Sequence, residues 1–146
     1  MKRRSTWRSA MRLLILLTVG MASISCAKSD RKPVYPVFGR VIMDGKPLAH
    51  AFVVFHPLGV TASDDVRPRA RADGHGNFSL STYDSADGAP AGKYRITVEK
   101  YKAPTESDKG PPVNLLPARY AKPDTSNITA RVQEDHNDLP PFQLKR

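Results

Sequence analysis

Four histidines, His50, His56, His75 and His136, are the side chains of this sequence best suited to metal ligation or proton transfer. No two of them stand in a His-x-His or His-Glu-x-x-His spacing, the arrangements that turn two imidazoles toward one ion. Each therefore reads as a solvated or hydrogen-bonded histidine. The segment Asp73-Gly74-His75-Gly76-Asn77 has the outline of a calcium loop. An EF-hand, however, needs an acidic or amide side chain at its third position, Gly at its sixth and a bidentate Glu at its twelfth. Here those positions hold His75, Phe78 and Asp84, so the segment reads as a glycine-supported hairpin turn. Asp73, Asn77 and the pair Asp64-Asp65 leave open only a weak surface affinity for calcium. No serine lies in a Gly-x-Ser-x-Gly elbow, and the carboxylates fall mostly in turns rather than as a facing pair of the kind glycosidases use. The sequence thus predicts no catalytic, cofactor-binding or metal-ligating residue, and no cofactor.

The remaining reactive group is the single Cys, Cys26. One cysteine excludes an intramolecular disulfide framework and any multi-cysteine zinc site. Its setting is informative. Lys2, Arg3, Arg4, Arg8 and Arg12 form a basic stretch without an acidic residue, and an apolar run of about ten residues follows from Leu13 to Ala22. A basic n-region, a short apolar h-region and small residues beyond it make a secretory signal peptide. The run is shorter than the roughly 20 residues that span a bilayer core as a helix. Ser23-Ile24-Ser25-Cys26 then resembles the lipobox of bacterial lipoproteins, with Ser23 where that family usually carries Leu. The resemblance implies that Cys26 becomes the mature N-terminus and carries a diacylglyceryl group in thioether linkage. The alternative is an ordinary signal peptide cut nearby, with Cys26 a free thiol. Each buried methylene contributes roughly 0.8 kcal/mol, and stable anchoring takes more than one acyl chain. The organisation expected is a signal peptide over residues 1–25, a lipidated Cys with a short polar tether over 26–33, and a folded domain over 34–146.

What positions any surface of that domain must be strands. The 146-residue chain is 40% hydrophobic and 25% charged, as ordinary globular chains are. Its 13 Pro and 9 Gly oppose a mainly helical fold. Setting aside the five basic leader residues leaves 18 Lys+Arg against 14 Asp+Glu, a net charge of +4 in place of +9. That balance, without a Lys/Arg stripe interleaved with aromatics, argues against nucleic acid as a partner. Alternation with period two recurs. Val37, Gly39, Val41 and Met43 share one face of a first strand that ends at the turn pair Asp44-Gly45. Ala51, Val53 and Phe55 point inward from the next, with Phe52 and Val54 making its other face partly apolar. Residues 67–73 form a third strand with a charged outer face. Strands follow at 78–82, at 92–98 with Tyr94, Ile96 and Val98 on one face, around Ile128, Ala130 and Val132, and around Phe142 and Leu144. About seven short strands predict an all-β fold, an antiparallel β-sandwich of immunoglobulin-like or transthyretin-like form.

Several of these pieces are similar to the transthyretin-like, carboxypeptidase regulatory-like β-sandwich modules of small bacterial surface lipoproteins. They are Val37-Phe38-Gly39-Arg40-Val41 with Asp44-Gly45-Lys46-Pro47-Leu48, the run Ala51 to Pro57, the run Ala72 to Thr82, and Gly88 to Val98. Leu116-Pro117-Ala118-Arg119-Tyr120 and the stretch from Asn137 to Leu144 complete the likeness. It implies a non-catalytic module, since enzyme-associated members carry this domain as an appendage. The related hydroxyisourate hydrolases end in Tyr-Arg-Gly-Ser, whereas this chain ends Phe142-Gln143-Leu144-Lys145-Arg146. The expected function is a non-enzymatic, membrane-anchored lipoprotein module of the cell envelope, facing the periplasm or cell exterior. Its role would be structural or protein-binding, presenting loops 58–68 and 103–115 to an envelope protein or glycan. The alternative is a carbohydrate- or peptide-binding module. Tyr83, Tyr101 and Tyr120, placed near strand ends or loops, suit edge packing with a wet hydroxyl more than a stacking platform.

Overall fold

A computed structural model of the chain describes residues 31–59, 65–103, 105 and 110–146. The leader over 1–25, Cys26 and the first part of its tether, and parts of both expected recognition loops lie outside the described residues. The compact unit runs from Lys32 to Arg146. Among the described residues it is built from nine strands: β1 (Val37–Met43), β2 (Lys46–Pro47), β3 (Phe52–Pro57), β4 (Arg69–Arg71), β5 (Asn77–Ser79), β6 (Gly92–Glu99), β7 (Thr129–Val132), β8 (Asn137–Asp138) and β9 (Phe142–Leu144). A 3-10 turn, Ala118–Tyr120, interrupts the connection between β6 and β7. Among the described residues no helix is long and apolar enough to cross a membrane.

The strands form two sheets. In the first, β1 is central. The backbone of Val37 and Val41 bonds to Leu80, Gly76 and Leu48 on one side, while that of Pro36, Phe38 and Asp44 bonds to Asn137, Leu139 and Leu144 on the other. On the first side β5 and β2 run antiparallel to β1. On the second, β8 and β9 run parallel to it, with Val37 opposite Asn137 and Val41 opposite Phe142. The second sheet has the order β4-β3-β6-β7 and is antiparallel throughout. The hairpin joining β1 to β2 has a two-residue loop, Asp44-Gly45, with φ of 48° and 80°. Two successive positive φ values are what the tight turn with the twist of the flanking strands requires.

The all-β sandwich is therefore present, with two corrections to the expected arrangement. The count is nine rather than about seven, the additions being the two-residue strands β2 and β8. The sandwich is also not purely antiparallel, because the chain leaves β7 in the second sheet and returns along the free edge of β1 in the first. Asn137, 7% exposed, fixes that crossing. Its side-chain oxygen accepts from the Gln133 N–H at 2.8 Å and its amide nitrogen donates to the Gln133 carbonyl at 3.1 Å. Pro140 and Pro141 lack the N–H that would continue the ladder, so β8 and β9 are separate pieces of one edge.

The alternation read from the sequence is the burial observed. Val37, Val41, Ala51, Val53, Phe55, Leu80, Ile96 and Val98 have no exposed surface, and each large aliphatic or aromatic side chain buried this way contributes roughly 1.5–3 kcal/mol. Phe55 from the second sheet meets Phe78 and Phe142 from the first at ring separations of 6.4 and 6.2 Å. Gly39 stands opposite Phe78 in register, and a Cβ there would lie 2.4 Å from the end of the Phe78 ring. That ring is itself wedged between Phe55 and Phe142 and has little room to yield. Gly39→Ala is thus expected to lower stability by about 1–3 kcal/mol. Gly74→Ala, where a Cβ meets nothing within 4 Å, stays within about 0.5 kcal/mol. Urea denaturation of the two variants checks this.

Candidate functional site

With the inner faces of both sheets committed to the core, the outer faces are where strands can present chemistry. The second sheet carries the more ordered array. Cross-strand partners share a face, so the observed register places Arg71, Phe52 and Glu99 in one row and Arg69, Val54 and Thr97 in the next. His56, Arg95 and Thr129 form a third row, and Lys93 with Arg131 a fourth. Arg67, two residues ahead of β4, continues the arginine column beside His56.

These side chains are held to different degrees. Arg95 is drawn into the protein, donating from Nη1 to the carbonyl oxygens of Ser126 at 3.0 Å and Pro123 at 3.3 Å. Ser126, fully buried, donates its hydroxyl to the Ile96 carbonyl. Together these bonds tie the segment after the 3-10 turn to β6. Thr97 is only 5% exposed although it lies on the outer face, because the His56 ring packs beside it with a ring nitrogen 2.9 Å from Thr97 Oγ1. Burial, followed by the neighbouring Arg67 guanidinium, lowers the His56 pKa from its ordinary 6.5, with Asp65 partly offsetting. Arg67 itself forms a two-point ion pair with Asp65.

At the opposite end of the face, the Arg71 guanidinium lies over the Phe52 ring at 5.3 Å from its centroid. Tyr101 packs against the same ring at 6.2 Å and donates its hydroxyl to Glu99 at 3.0 Å. Phe52 and Tyr101 remain 40% and 39% exposed. Arg69, Arg71, Lys93 and Arg131 have no acidic partner among the described residues. Among the described residues the face is therefore cationic; its carboxylates are Asp65, paired with Arg67, and Glu99, which accepts the Tyr101 hydroxyl.

The other residues singled out in the sequence are scattered. Asp73 accepts from the backbone N–H groups of His75 at 2.8 Å and Asn77 at 2.9 Å, the geometry of a turn rather than a cation loop. The Asn77 bond leads in holding the Asp73 carboxyl below its usual range. His75 and His50 are exposed at turns. His136 pairs with Asp138 at 3.2 Å and lies 5.2 Å from the Phe38 ring on the other sheet. Among the described residues no three His, Cys, Asp or Glu side chains group as a metal site. Tyr120 lies at the sandwich's side, its hydroxyl accepting from Lys145 N–H at 2.9 Å. Cys26 lies outside the described residues. The charged outer face foreseen for 67–73 is present, but its continuation across β6 and β7 depends on strand register, which the sequence did not supply.

No family model and no curated protein matches this chain. Among solved structures, a 9R-lipoxygenase from Cyanothece PCC8801 is similar at 13% identity and a TM-score of 0.42. The likeness covers 77% of this chain, which spans only 16% of the lipoxygenase chain. At that level it carries neither activity nor ancestry to this protein.

The His56 environment generates a pH prediction. Since the folded pKa lies below the unfolded 6.5, the unfolded chain binds more protons and stability falls as pH drops below that value. Above it the group has no such effect. Denaturation midpoints at near-neutral and mildly acidic pH should therefore differ less in His56→Gln than in the unaltered chain. NMR titration should place the ring below 6.5 and show it rising in Arg67→Gln; a ring titrating at or above 6.5 contradicts this account.

Proposed function

We propose that this chain is a non-enzymatic module of the cell envelope, anchored to a membrane through lipid on Cys26, whose sandwich presents an interaction surface to a partner protein. The observation supporting an interaction role is the outer face of the second sheet. Four cations without an acidic partner among the described residues, Arg69, Arg71, Lys93 and Arg131, share it with two partly exposed aromatic rings. Unpaired surface charge of one sign contributes little to folding, but it steers association and sets specificity. Support for the anchor is the basic and apolar leader ending at Ser25-Cys26. A second reading, a carbohydrate-binding module, draws on Phe52 and Tyr101, because aromatic rings at a surface suit sugar faces. The arginine content of the same face favours the protein-binding reading.

The anchor is tested by mass spectrometry of the native protein extracted from membranes. The expected mature N-terminus is Cys26 bearing acyl chains, and Cys26→Ser should move the protein to the soluble fraction. An unmodified Cys26, or cleavage well downstream of it, removes the anchor from this reading. Saturable binding of one neutral oligosaccharide on a glycan array would favour the carbohydrate alternative.

A further inference from the structure

The arginine column has a repeat that names its ligand. Residues two apart on a strand stand about 6.4–6.8 Å apart on one face, so the backbone of β4 carries Arg69 and Arg71 at that interval, with Arg67 just ahead of them. Asp65 already occupies Arg67. Arg69 and Arg71 remain as two open rungs, both exposed. Beside them, one strand spacing of roughly 4.8 Å away, runs the lane of Val54 and Phe52 on β3. The Arg71 guanidinium is placed in advance, its carbon 5.3 Å from the centre of the Phe52 ring, and it has no acidic partner among the described residues; a guanidinium fork suits the bidentate geometry of carboxylates.

We propose that this outer face of β4 and β3 docks an extended acidic peptide segment of a partner protein, with carboxylates at alternate residues set on Arg69 and Arg71. An extended peptide lying along β4 turns every second side chain toward the sheet at the same 6.4–6.8 Å interval, so its charges stay in step with the arginines. Two carboxylates three residues apart do not, because they then point to opposite sides of the extended chain. A sugar face finds less here: Arg71 lies over Phe52, and Phe52 and Tyr101 are tilted at 59° to one another, so the two rings do not form one flat platform.

This inference rests on the protein-binding reading above and is tested separately from the anchor. Calorimetry of the full chain would compare an alternating peptide, with two Asp residues two positions apart among Ser, with one of equal composition whose two Asp residues stand three positions apart. The alternating peptide is expected to bind about tenfold tighter, and Arg69→Gln and Arg71→Gln to lose about three- to tenfold each. Arg69→Lys should recover part of the loss, because it keeps charge without the fork. Lys46→Gln, on the other sheet, should leave binding unchanged, and circular dichroism of each variant controls for folding. Equal affinity for both peptides, or tighter binding of polygalacturonate, of anionic phospholipid vesicles or of an oligonucleotide, overturns the proposal. A tethered chain that ignores the alternating peptide defeats this inference alone; a chain that binds it but has an unmodified Cys26 defeats the anchor alone.

Discussion

The fold depends on one strand being hydrogen-bonded along both edges. β1 receives β5 and β2 on one side and β8 and β9 on the other, so segments more than 90 residues apart in sequence complete a single ladder. Buried backbone donors and acceptors left unpaired cost about as much as a lost hydrogen bond each, which makes that closure a requirement rather than an embellishment. It also explains why so few polar side chains are buried. Among the described residues Asn137 is one of three, and it serves the crossing that delivers β8 to β1. Gly39 is the steric counterpart: the same strand must give up a side chain so that Phe78 can cross it and reach Phe55 and Phe142.

Once the first sheet is closed in this way, the second is left to present a face. Its inner residues complete the shared core, while its β4 edge is joined to the continuation of β5 by the paired backbone of Arg69 and Ser81. That bridge holds the arginine column in register with β3. Arg95 and Ser126 do the same at the β6 side by fastening the long connection to the sheet. The outer face is thus framed by backbone and buried bonds on both flanks, and its exposed arginines project from a support that they do not themselves hold together.

Much of this could be read from residue order. Period-two alternation placed the inward residues of β1, β3 and β6, because one side of each strand meets the core, and Asp44-Gly45 marked a turn whose conformation favours that pair. The two extra strands were not legible. Lys46-Pro47 and Asn137-Asp138 are too short and too polar to show alternation, and they exist through their backbone bonds to β1. The parallel pairing was hidden for a related reason: local sequence says nothing about which distant edge a terminal segment will complete. The cationic face was half legible. Arg67, Arg69 and Arg71 alternate within one segment, but Lys93 and Arg131 join them only through the β6–β7 register, and the stacking of Arg71 on Phe52 requires β4 to lie beside β3.

The energetics of that face suit recognition more than stability. Two unit charges about 6.6 Å apart in water repel by roughly 0.6 kcal/mol, and salt screens this further, so a short arginine row costs the fold little. Phe52 offsets part of it, since a cation over an exposed ring gains about 0.5–1 kcal/mol. Glu99, across Phe52 from Arg71, accepts the Tyr101 hydroxyl and keeps its charge, but forms no ion pair with the column. Folding leaves these charges neither paired nor strongly penalised. They remain available to an incoming anion, whose approach relieves the repulsion along the column and adds charge-assisted hydrogen bonds that the free protein does not make.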